Sequence, residues 1–191
     1  PLLVGRELTI QAIGRAVSYH NRNIFMVTQR NPVVLDIRSR SELFEVGTVA
    51  KILEVVEGPQ PDTLRVLFEG LYRARFIPYG GCDLKHVSRK VTSIADVYPF
   101  EERSHPVSEQ RISEFLSALN AYIVKSEKPA PKVIERIINR EITFSQASPG
   151  IMADTVMQYI RVDYRKKQEL FELADAVERM DAVYELLQDN C

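Results

Sequence analysis

The sequence predicts an α+β fold: a small coiled β-sheet or barrel with one helix, followed by an α-helical bundle. Strand-forming runs separated by short gaps fill the first half, and one helical pattern, residues 6–19, interrupts them. A long strand pair, residues 43–77, occupies the centre of that half. After residue 106 every apolar periodicity is helical. Strands first and helices second are typical of α+β proteins or of two joined modules, so we place the domains at 1–103 and 104–191.

Composition and charge narrow the class of protein. The chain has 191 residues and a formal net charge of −1, so no basic field points to nucleic acid or to an anionic membrane. No apolar run approaches the roughly 20 residues of a membrane helix, and no signal peptide opens the chain. Cys82 and Cys191 form neither a disulfide framework nor a metal-ligand pattern, which fits a cytoplasmic protein. Because residues 1–4 resemble the end of a strand and Pro1 is not methionine, we expect a fragment.

The first elements follow from local periodicity. Residues 6–19 carry apolar side chains at helical spacing. Glu7 in the first turn suits the positive end of the helix dipole. A compact apolar strand, residues 24–28, follows, and residues 30–42 are predicted to form a loop. The apolar stripe of the helix consists of Leu8, Ala12, Ile13, Ala16 and Val17.

The central strand pair is predicted to bury one face. Two β-favouring runs flank the turn segment 57–62, and the second run alternates apolar and polar residues. In a β-strand, successive side chains point to opposite faces of the sheet, so residues two apart share a face. Gly70, at the centre of this run, suits a β-bulge or a sharp bend. The predicted core face holds Leu64, Val66, Phe68, Tyr72, Ala74 and Phe76, and the solvated face holds Arg65, Glu69, Arg73 and Arg75.

The second half is predicted to be helical after a boundary segment. A turn at Gly80-Gly81 and one more strand, residues 84–97, end the β region, and the charged segment 98–106 is the predicted linker. Ser148-Pro149 is a helix start, because serine caps the first amides and proline lacks an N–H that would be unpaired there. Asp175 is the predicted N-cap of the last helix. The predicted apolar faces are Ile112, Phe115, Leu116, Leu119, Tyr122 and Ile123 in residues 107–126, then Val133, Ile134, Ile137 and Ile138, then Ile151, Met152, Thr155, Val156, Tyr159 and Ile160, and, after a short helix at 166–173, Val177, Met180, Val183, Tyr184 and Leu187.

Motifs of catalysis and metal binding are missing from the sequence. It contains no GxxxxGK[ST] phosphate loop and no GxGxxG, GxSxG or HExxH motif. Cys82 is interpreted as a bystander thiol, since no cation except Lys85 and His86 lies beside it in sequence. Two carboxylate groupings, Glu101-Glu102 and Asp181-Glu185, lie in charged segments, whereas a catalytic pair needs a cleft. The three histidines have no ligand partner at short spacing, so we interpret them as surface or loop residues: His20, His86 and His105.

A group of cations could gather on the polar face of the sheet as an RNA-binding patch. We favour a solvated face instead, because no stacking aromatic residues accompany these cations and the chain is almost neutral. Glu54 and Glu69 would then serve as cross-strand partners. The group comprises Arg65, Arg73, Arg75, Lys85, Arg89 and Lys90.

The assembled motifs resemble a known family. Residues 43–52, LFEVGTVAKI, resemble the LFxVGTVAxI signature of the amino-terminal domain of Lon, the ATP-dependent serine protease. Residues 66–75, VLFEGLYRAR, are similar to its VLVEGLxRAR, and residues 1–6, PLLVGR, to its PLFVGR. Later, SPGIMADT at 148–155 is similar to DPxxLADxIA, and KQELFE at 167–172, with the VERM and LL that follow, to KQxLLE…VxERLxxLL. These matches span nearly the whole chain in the family's order.

The resemblance implies a non-catalytic module. It implies a PUA-like β-barrel before a helical bundle, with no catalytic residue, metal or cofactor in this chain. ATP, Mg²⁺ and the Ser–Lys pair would belong to other modules of an ATP-dependent serine endopeptidase. The implied partners are unfolded or damaged protein substrates, in protein quality control, and further copies in a homohexamer. Family members begin with a segment similar to LPLRDxVxFP, so we expect the first strand of the sheet to precede Pro1.

A domain that recognises unfolded polypeptides should offer exposed apolar surface with adaptable polar groups. Phe25 and Met26 are further candidates, although we expect at least one of them in the core. Two alternatives stay open: a stand-alone Lon-like PUA-type domain that binds RNA or another ligand, and a small hydrolase, without motif support, that acts through Cys82 or the carboxylates. The candidate substrate-binding residues are Leu2, Leu3, Arg6, Glu7, Gln11 and Arg15.

Overall fold

The computed structural model describes residues 1–34, 37, 39–78, 94–126, 129–139, 141 and 149–189. The chain divides into two compact units, Pro1–Phe100 and Glu101–Cys191, which we call the sheet unit and the helical unit. The predicted turn at Gly80-Gly81, Cys82, the cations Lys85, His86, Arg89 and Lys90, the cap Ser148 and Cys191 lie outside the described residues.

The sheet unit is built on an antiparallel sheet. Its strands are β1 (Leu2–Val4), β2 (Asn23–Met26), β3 (Val46–Glu57), β4 (Leu64–Pro78) and β5 (Ala95–Pro99). The helix α1 (Glu7–Tyr19) lies between β1 and β2, and a 3₁₀ turn spans Arg40–Glu42. The strand order is β1-β4-β3-β2, and β5 also pairs with β4. β1 pairs with the first residues of β4, and β5 pairs with its last residues.

The long β3–β4 hairpin contains the predicted irregularity at Gly70. The register shifts where Val49 pairs with Tyr72 but Ala50 pairs with Gly70, which leaves Leu71 as an extra residue. The predicted bulge is therefore confirmed. Tyr72, which we placed on the core face, lies directly beside this bulge and is exposed. All five other predicted core residues of β4 are buried or half-buried: Leu64, Val66, Phe68, Ala74 and Phe76.

The core of the sheet unit forms where α1 covers the sheet. Ile13 and Ala16 are buried in one cluster with Ile52 of β3 and Val66 of β4. Two further residues of the predicted α1 stripe, Leu8 and Val17, are exposed instead. Ile13 and Ala16 lie one helical turn apart and face the sheet together. The predicted apolar stripe was wider than the part of α1 that contacts the sheet.

The fifth strand changes the predicted boundary segment. Tyr98 pairs with Arg75 and Pro99 pairs with Ala74, so both belong to β5 and not to a linker. We had taken residues 98–106 as a boundary or linker, and the division between the two units, after Phe100, lies inside that segment. Tyr98 and Pro99 were misplaced, because an edge strand tolerates the proline and the charge that were taken as signs of a linker.

The helical unit contains five helices in the described part of the chain. They are α2 (Glu109–Ser126), α3 (Lys132–Ile138), α4 (Pro149–Tyr159), α5 (Tyr164–Phe171) and α6 (Ala176–Asp189). Most of the predicted apolar positions form one buried cluster, as amphipathic helices require: Ile112, Phe115, Leu119, Tyr122, Ile134, Ile137, Met152, Val156, Ile160, Met180, Val183 and Leu187.

Three details of the helical unit differ from prediction. Val133, which we placed on an apolar face, is exposed on α3, whose buried residues are Ile134 and Ile137. Ile151 is exposed, because the packed face of α4 runs through Met152, Ala153, Val156 and Met157 and is rotated away from it. The helix α5 begins two residues earlier than predicted, since the Asp163 carboxylate accepts a hydrogen bond from the Arg165 N–H at 2.8 Å and caps it.

Candidate functional site

The candidate surface begins with two adjacent leucines on β1. Leu2 and Leu3 are 56% and 57% exposed. Backbone pairing fixes their position, because Leu2 lies opposite Val66 and Leu3 opposite Arg65 on β4. A leucine that is held rigidly while more than half exposed offers apolar area to a partner without a large loss of backbone entropy on binding.

The polar members of the surface lie on and before the first turns of α1. The Gln11 side-chain amide donates to the Glu7 carboxylate at 3.1 Å, one turn apart on the exposed side of the helix. Arg15 is also exposed. Leu2 and Leu3 are successive strand residues and point to opposite faces of the sheet. We call the exposed groups around β1 and the start of α1, namely these polar side chains with Leu2, Leu3 and Arg6, the β1–α1 surface. It combines fixed apolar area with hydrogen-bonding groups that can exchange partners.

Arg6 differs from the other candidates because it contacts a neighbouring loop. Its guanidinium donates to the Gln29 side-chain oxygen at 2.6 Å and to the Pro32 carbonyl at 3.5 Å. The Gln29 amide in turn donates to the Val34 carbonyl at 3.0 Å. Arg6 therefore holds the loop 29–34 beside the start of α1.

This loop presents an apolar residue that the sequence did not identify. Val33 is 82% exposed, and its N–H donates to the Asn31 side chain at 3.1 Å. The only signal in the sequence was the Asn31-Pro32 turn, which gives no information about the Arg6–Gln29 contact. We regard Val33 as a neighbour of the β1–α1 surface through that contact.

Phe25 and Met26 are half-buried in β2. The Phe25 ring lies 5.3 Å from the ring of Phe76, which is buried. A methyl group added at Gly47 would come within 2.6 Å of the Phe25 ring. These contacts place Phe25 in the packing of the sheet unit, as we expected for at least one of the two.

The predicted cationic patch is partly engaged within the protein. The guanidinium carbons of Arg73 and Arg75 lie 5.4 and 5.1 Å from the centre of the Phe100 ring. Cation–π contacts of this kind stabilise the folded chain and reduce the freedom of both arginines to bind a phosphate backbone. Arg65 is exposed on β4.

One carboxylate of each predicted grouping is paired with an arginine. Glu102 contacts the buried Arg179 at 2.6 Å, and Asp181 forms a bidentate ion pair with Arg111. The Asp181 carboxylate raises the pKa of Arg111, chiefly through this hydrogen bond. Carboxylates engaged in this way serve structure, and the interpretation that they are not a catalytic pair agrees with these contacts.

Neither a metal-binding cluster nor a membrane-spanning helix is found among the described residues. No group of three or more His, Cys, Asp and Glu side chains within them is arranged to hold a metal ion. His105 lies 3.3 Å from Asp175, which also caps α6. No helix within the described ranges has the length and apolar character needed to cross a membrane.

Comparison with known proteins shows the family. The family model described as "ATP-dependent protease La (LON) substrate-binding domain" matches residues 1–189. The chain belongs to the Lon substrate-binding domain family. It is 40% identical over 192 residues to the Lon protease of Nitratidesulfovibrio vulgaris, which covers 98% of this chain and 22% of that protein. It is 29% identical over 188 residues to Lon protease 1 of Bacillus subtilis, again 98% of this chain and 22% of that protein.

Solved Lon structures share the fold. The N-terminal domain of the Mycobacterium avium complex Lon protease superposes with a TM-score of 0.69 at 18% identity, covering 100% of this chain and 90% of that one. A Lon N-terminal domain protein from Xanthomonas campestris gives a TM-score of 0.59 at 11% identity, covering 98% and 86%. The resemblance found in the motifs and the predicted α+β class are thus confirmed. This Lon substrate-binding domain spans about a fifth of the length of the curated relatives it matches.

Proposed function

We propose that this Lon substrate-binding domain recognises unfolded or damaged polypeptides through its β1–α1 surface. The observation that carries the proposal is the pair of leucines, Leu2 and Leu3, held more than half exposed by pairing with β4. Unfolding exposes apolar segments that folded proteins bury, so such leucines would favour unfolded chains over folded ones. The side chains of Glu7, Gln11 and Arg15 would bind polar groups of many sequences, which supports recognition without a strict motif.

We further propose that the domain acts within an ATP-dependent serine protease of the cytoplasm that serves protein quality control. ATP and Mg²⁺ would be bound, and peptide bonds cleaved, by other modules of that protein. Assembly into a homohexamer would place several β1–α1 surfaces near one substrate, so that weak contacts add through effective concentration. We expect the isolated chain to hydrolyse neither ATP nor a peptide substrate, and either activity would refute this assignment.

The binding test compares two leucines with a matched control. Burial of a leucine contributes about 1.5–3 kcal/mol when complete, so loss of two partly buried leucines should weaken binding about tenfold or more. We would measure fluorescence anisotropy of a labelled, reduced and carboxymethylated model protein with the native chain and with Leu2→Ser/Leu3→Ser. Val124→Ser is the control, because Val124 is 73% exposed on α2 of the helical unit. Equal binding by all three chains, or no binding by the native chain, would refute the proposal.

The RNA-binding alternative is tested in the same format. The contacts of Arg73 and Arg75 with Phe100 favour a structural role for these arginines. We therefore expect no shift of a labelled single-stranded RNA at low salt. Salt-dependent binding that is lost when Arg73 and Arg75 are replaced by glutamine would support the alternative instead.

A further inference from the structure

Residues 101–105 form an extended segment that lies against the junction between α5 and α6. We call it the strap. The Arg103 N–H donates to the Ala174 carbonyl at 2.9 Å, and the Ala176 N–H donates to the Arg103 carbonyl at 2.8 Å, in a parallel bridge to Asp175. His105 lies 3.3 Å from the Asp175 carboxylate at an exposed position. These contacts alone are the kind that open readily at a protein surface.

One further contact reaches the interior. The side chain of Arg179 in α6 is completely buried. It donates to the Glu102 carboxylate of the strap at 2.6 Å and to the Leu173 carbonyl at 2.9 Å, and its Nε lies 2.9 Å from an Asp154 oxygen in α4. A buried guanidinium needs such acceptors, and Glu102 is the one that the strap contributes.

A glycine makes room for this contact. A methyl group added at Gly150, in the first turn of α4, would lie 2.6 Å from the Arg179 Nη2 and 2.9 Å from a Glu102 oxygen. Any side chain at this position would separate the carboxylate from the guanidinium, because Arg179 is enclosed and cannot move aside. The absence of a side chain at Gly150 is therefore part of how the strap docks.

From this arrangement we propose that Glu102 and Arg179 act as a latch that holds the strap on the helical unit and whose opening releases the strap while the helices stay folded. Arg179 keeps two acceptors, Asp154 and Leu173, when Glu102 leaves, so the core of the unit does not depend on the strap. Val107, which is buried in that core, marks the end of the releasable segment.

Release has a defined physical consequence. Docked, residues 101–106 belong to the helical unit, which begins directly after Phe100. Released, these residues become free chain that spans up to about 20 Å, at roughly 3.3–3.6 Å per residue. The latch thus sets how much of the chain ahead of Val107 is free.

The test measures hydrogen exchange of the full chain by mass spectrometry, with the Arg103 and Ala176 amides as reporters. Glu102→Ala should accelerate exchange in the strap, and trypsin cleavage after Arg103, by about tenfold or more, the effect of losing a charge-assisted hydrogen bond. Exchange in α6 around Val183 should stay as in the native chain. Gly150→Ala should also accelerate exchange in the strap, because the added methyl group displaces Glu102 while both charges remain. Alanine favours helix formation, so this substitution should not weaken α4 itself.

The matched control is Glu101→Ala, which removes the neighbouring carboxylate. It should leave exchange in the strap unchanged. The proposal is overturned by unchanged exchange in Glu102→Ala, by equal acceleration in Glu101→Ala, or by parallel acceleration of the strap and of the α6 amides around Val183. The last outcome would mean that the strap and the helices open only as one unit.

Discussion

At the scale of single residues, Arg179 shows how the helical unit accommodates a charge inside an apolar cluster. The side chain is fully buried, whereas Glu102 and Asp154 are each about two-fifths exposed. Each carboxylate therefore remains partly hydrated while it neutralises the guanidinium, which lowers the desolvation cost of the arrangement. Charge pairing of this geometry tolerates loss of one acceptor better than loss of the cation.

Replacement of Arg179 should therefore be costly. Arg179→Ala leaves a cavity and removes the cation shared by two carboxylates, so we expect a loss of about 3 kcal/mol in the free energy of unfolding. Arg136→Ala is the control, because its pair with Glu141 is exposed with atoms 3.7 Å apart and should contribute under about 1 kcal/mol. Urea unfolding followed by circular dichroism measures both. Similar losses for the two variants would contradict the role given to Arg179.

Asp175 should contribute to the stability of the folded chain, and this contribution should be lost at acidic pH. The Glu178 N–H, assisted by the Val177 N–H and by the charges of His105 and Arg103, holds the pKa of Asp175 below its usual value. Because the pKa of Asp175 is lower in the folded chain than in the unfolded chain, its contribution to the free energy of unfolding is complete above the unfolded value of about 4. The contribution is lost as the pH falls through the pKa of the folded state.

The corresponding experiment compares the native chain with Asp175→Asn, since asparagine also caps helices but carries no charge. The difference in melting temperature should be present at about pH 5 and should shrink as the pH is lowered below about 4. A difference that does not change with pH would show that the charge of Asp175 contributes nothing.

At the scale of elements, the glycines of the sheet unit are not equivalent. A methyl group at Gly47 would lie 2.3 Å from the Met26 carbonyl, so β2 can approach β3 only because no side chain is present. At Gly70 the nearest atom would be 3.5 Å away, which is an ordinary contact. The bulge expected at Gly70 is real, but its neighbours leave room for a small side chain.

Three alanine substitutions separate these cases. Gly47→Ala should destabilise the sheet unit strongly, because backbone atoms must move to relieve the overlap. Gly70→Ala should have an effect below about 1 kcal/mol. Gly14→Ala, in α1 with no atom near the new methyl group, should stabilise by about 0.4–1 kcal/mol through helix propensity and chain entropy. Thermal unfolding ranks the three, and a Gly47→Ala protein as stable as Gly70→Ala would contradict the steric account.

At the scale of the whole molecule, the two units have separate cores. The cluster around Ile13 and Val66 lies within the sheet unit, and the cluster from Val107 to Leu187 lies within the helical unit. Because every residue of each cluster, among the described residues, belongs to one unit, we expect that folding of one unit does not require the apolar surface of the other.

A truncated chain tests this separation. We expect residues 101–191 to fold alone and to unfold cooperatively in urea with helical circular dichroism. Residues 107–191 lack Glu102 and the strap, and should show a lower midpoint with helical content largely retained. Failure of 101–191 to fold would show that the helical unit needs the sheet unit.

Sequence periodicity predicted most of this molecule, for a physical reason. Helices that pack on one side, such as α2 and α6, repeat apolar residues every third or fourth position, and Phe115 and Met180 were identified in this way. The exposure of Tyr72 was not predicted, since this residue lies beside a bulge. The burial of Arg179 was not predicted either, since its carboxylate partners lie 77 and 25 positions away. The place of Val33 beside the β1–α1 surface was not predicted for the same reason, since it depends on the contact between Arg6 and Gln29, which are 23 positions apart.

Chemical-shift mapping can show whether the β1–α1 surface binds unfolded polypeptide. The ¹⁵N-labelled 191-residue chain would be titrated with an unlabelled, permanently unfolded model protein. We expect the shifting amides to cluster at residues 2–15 and 29–34, and α2 and α6 to be unaffected. Shifts confined to the helical unit, or no shifts at all, would contradict this expectation.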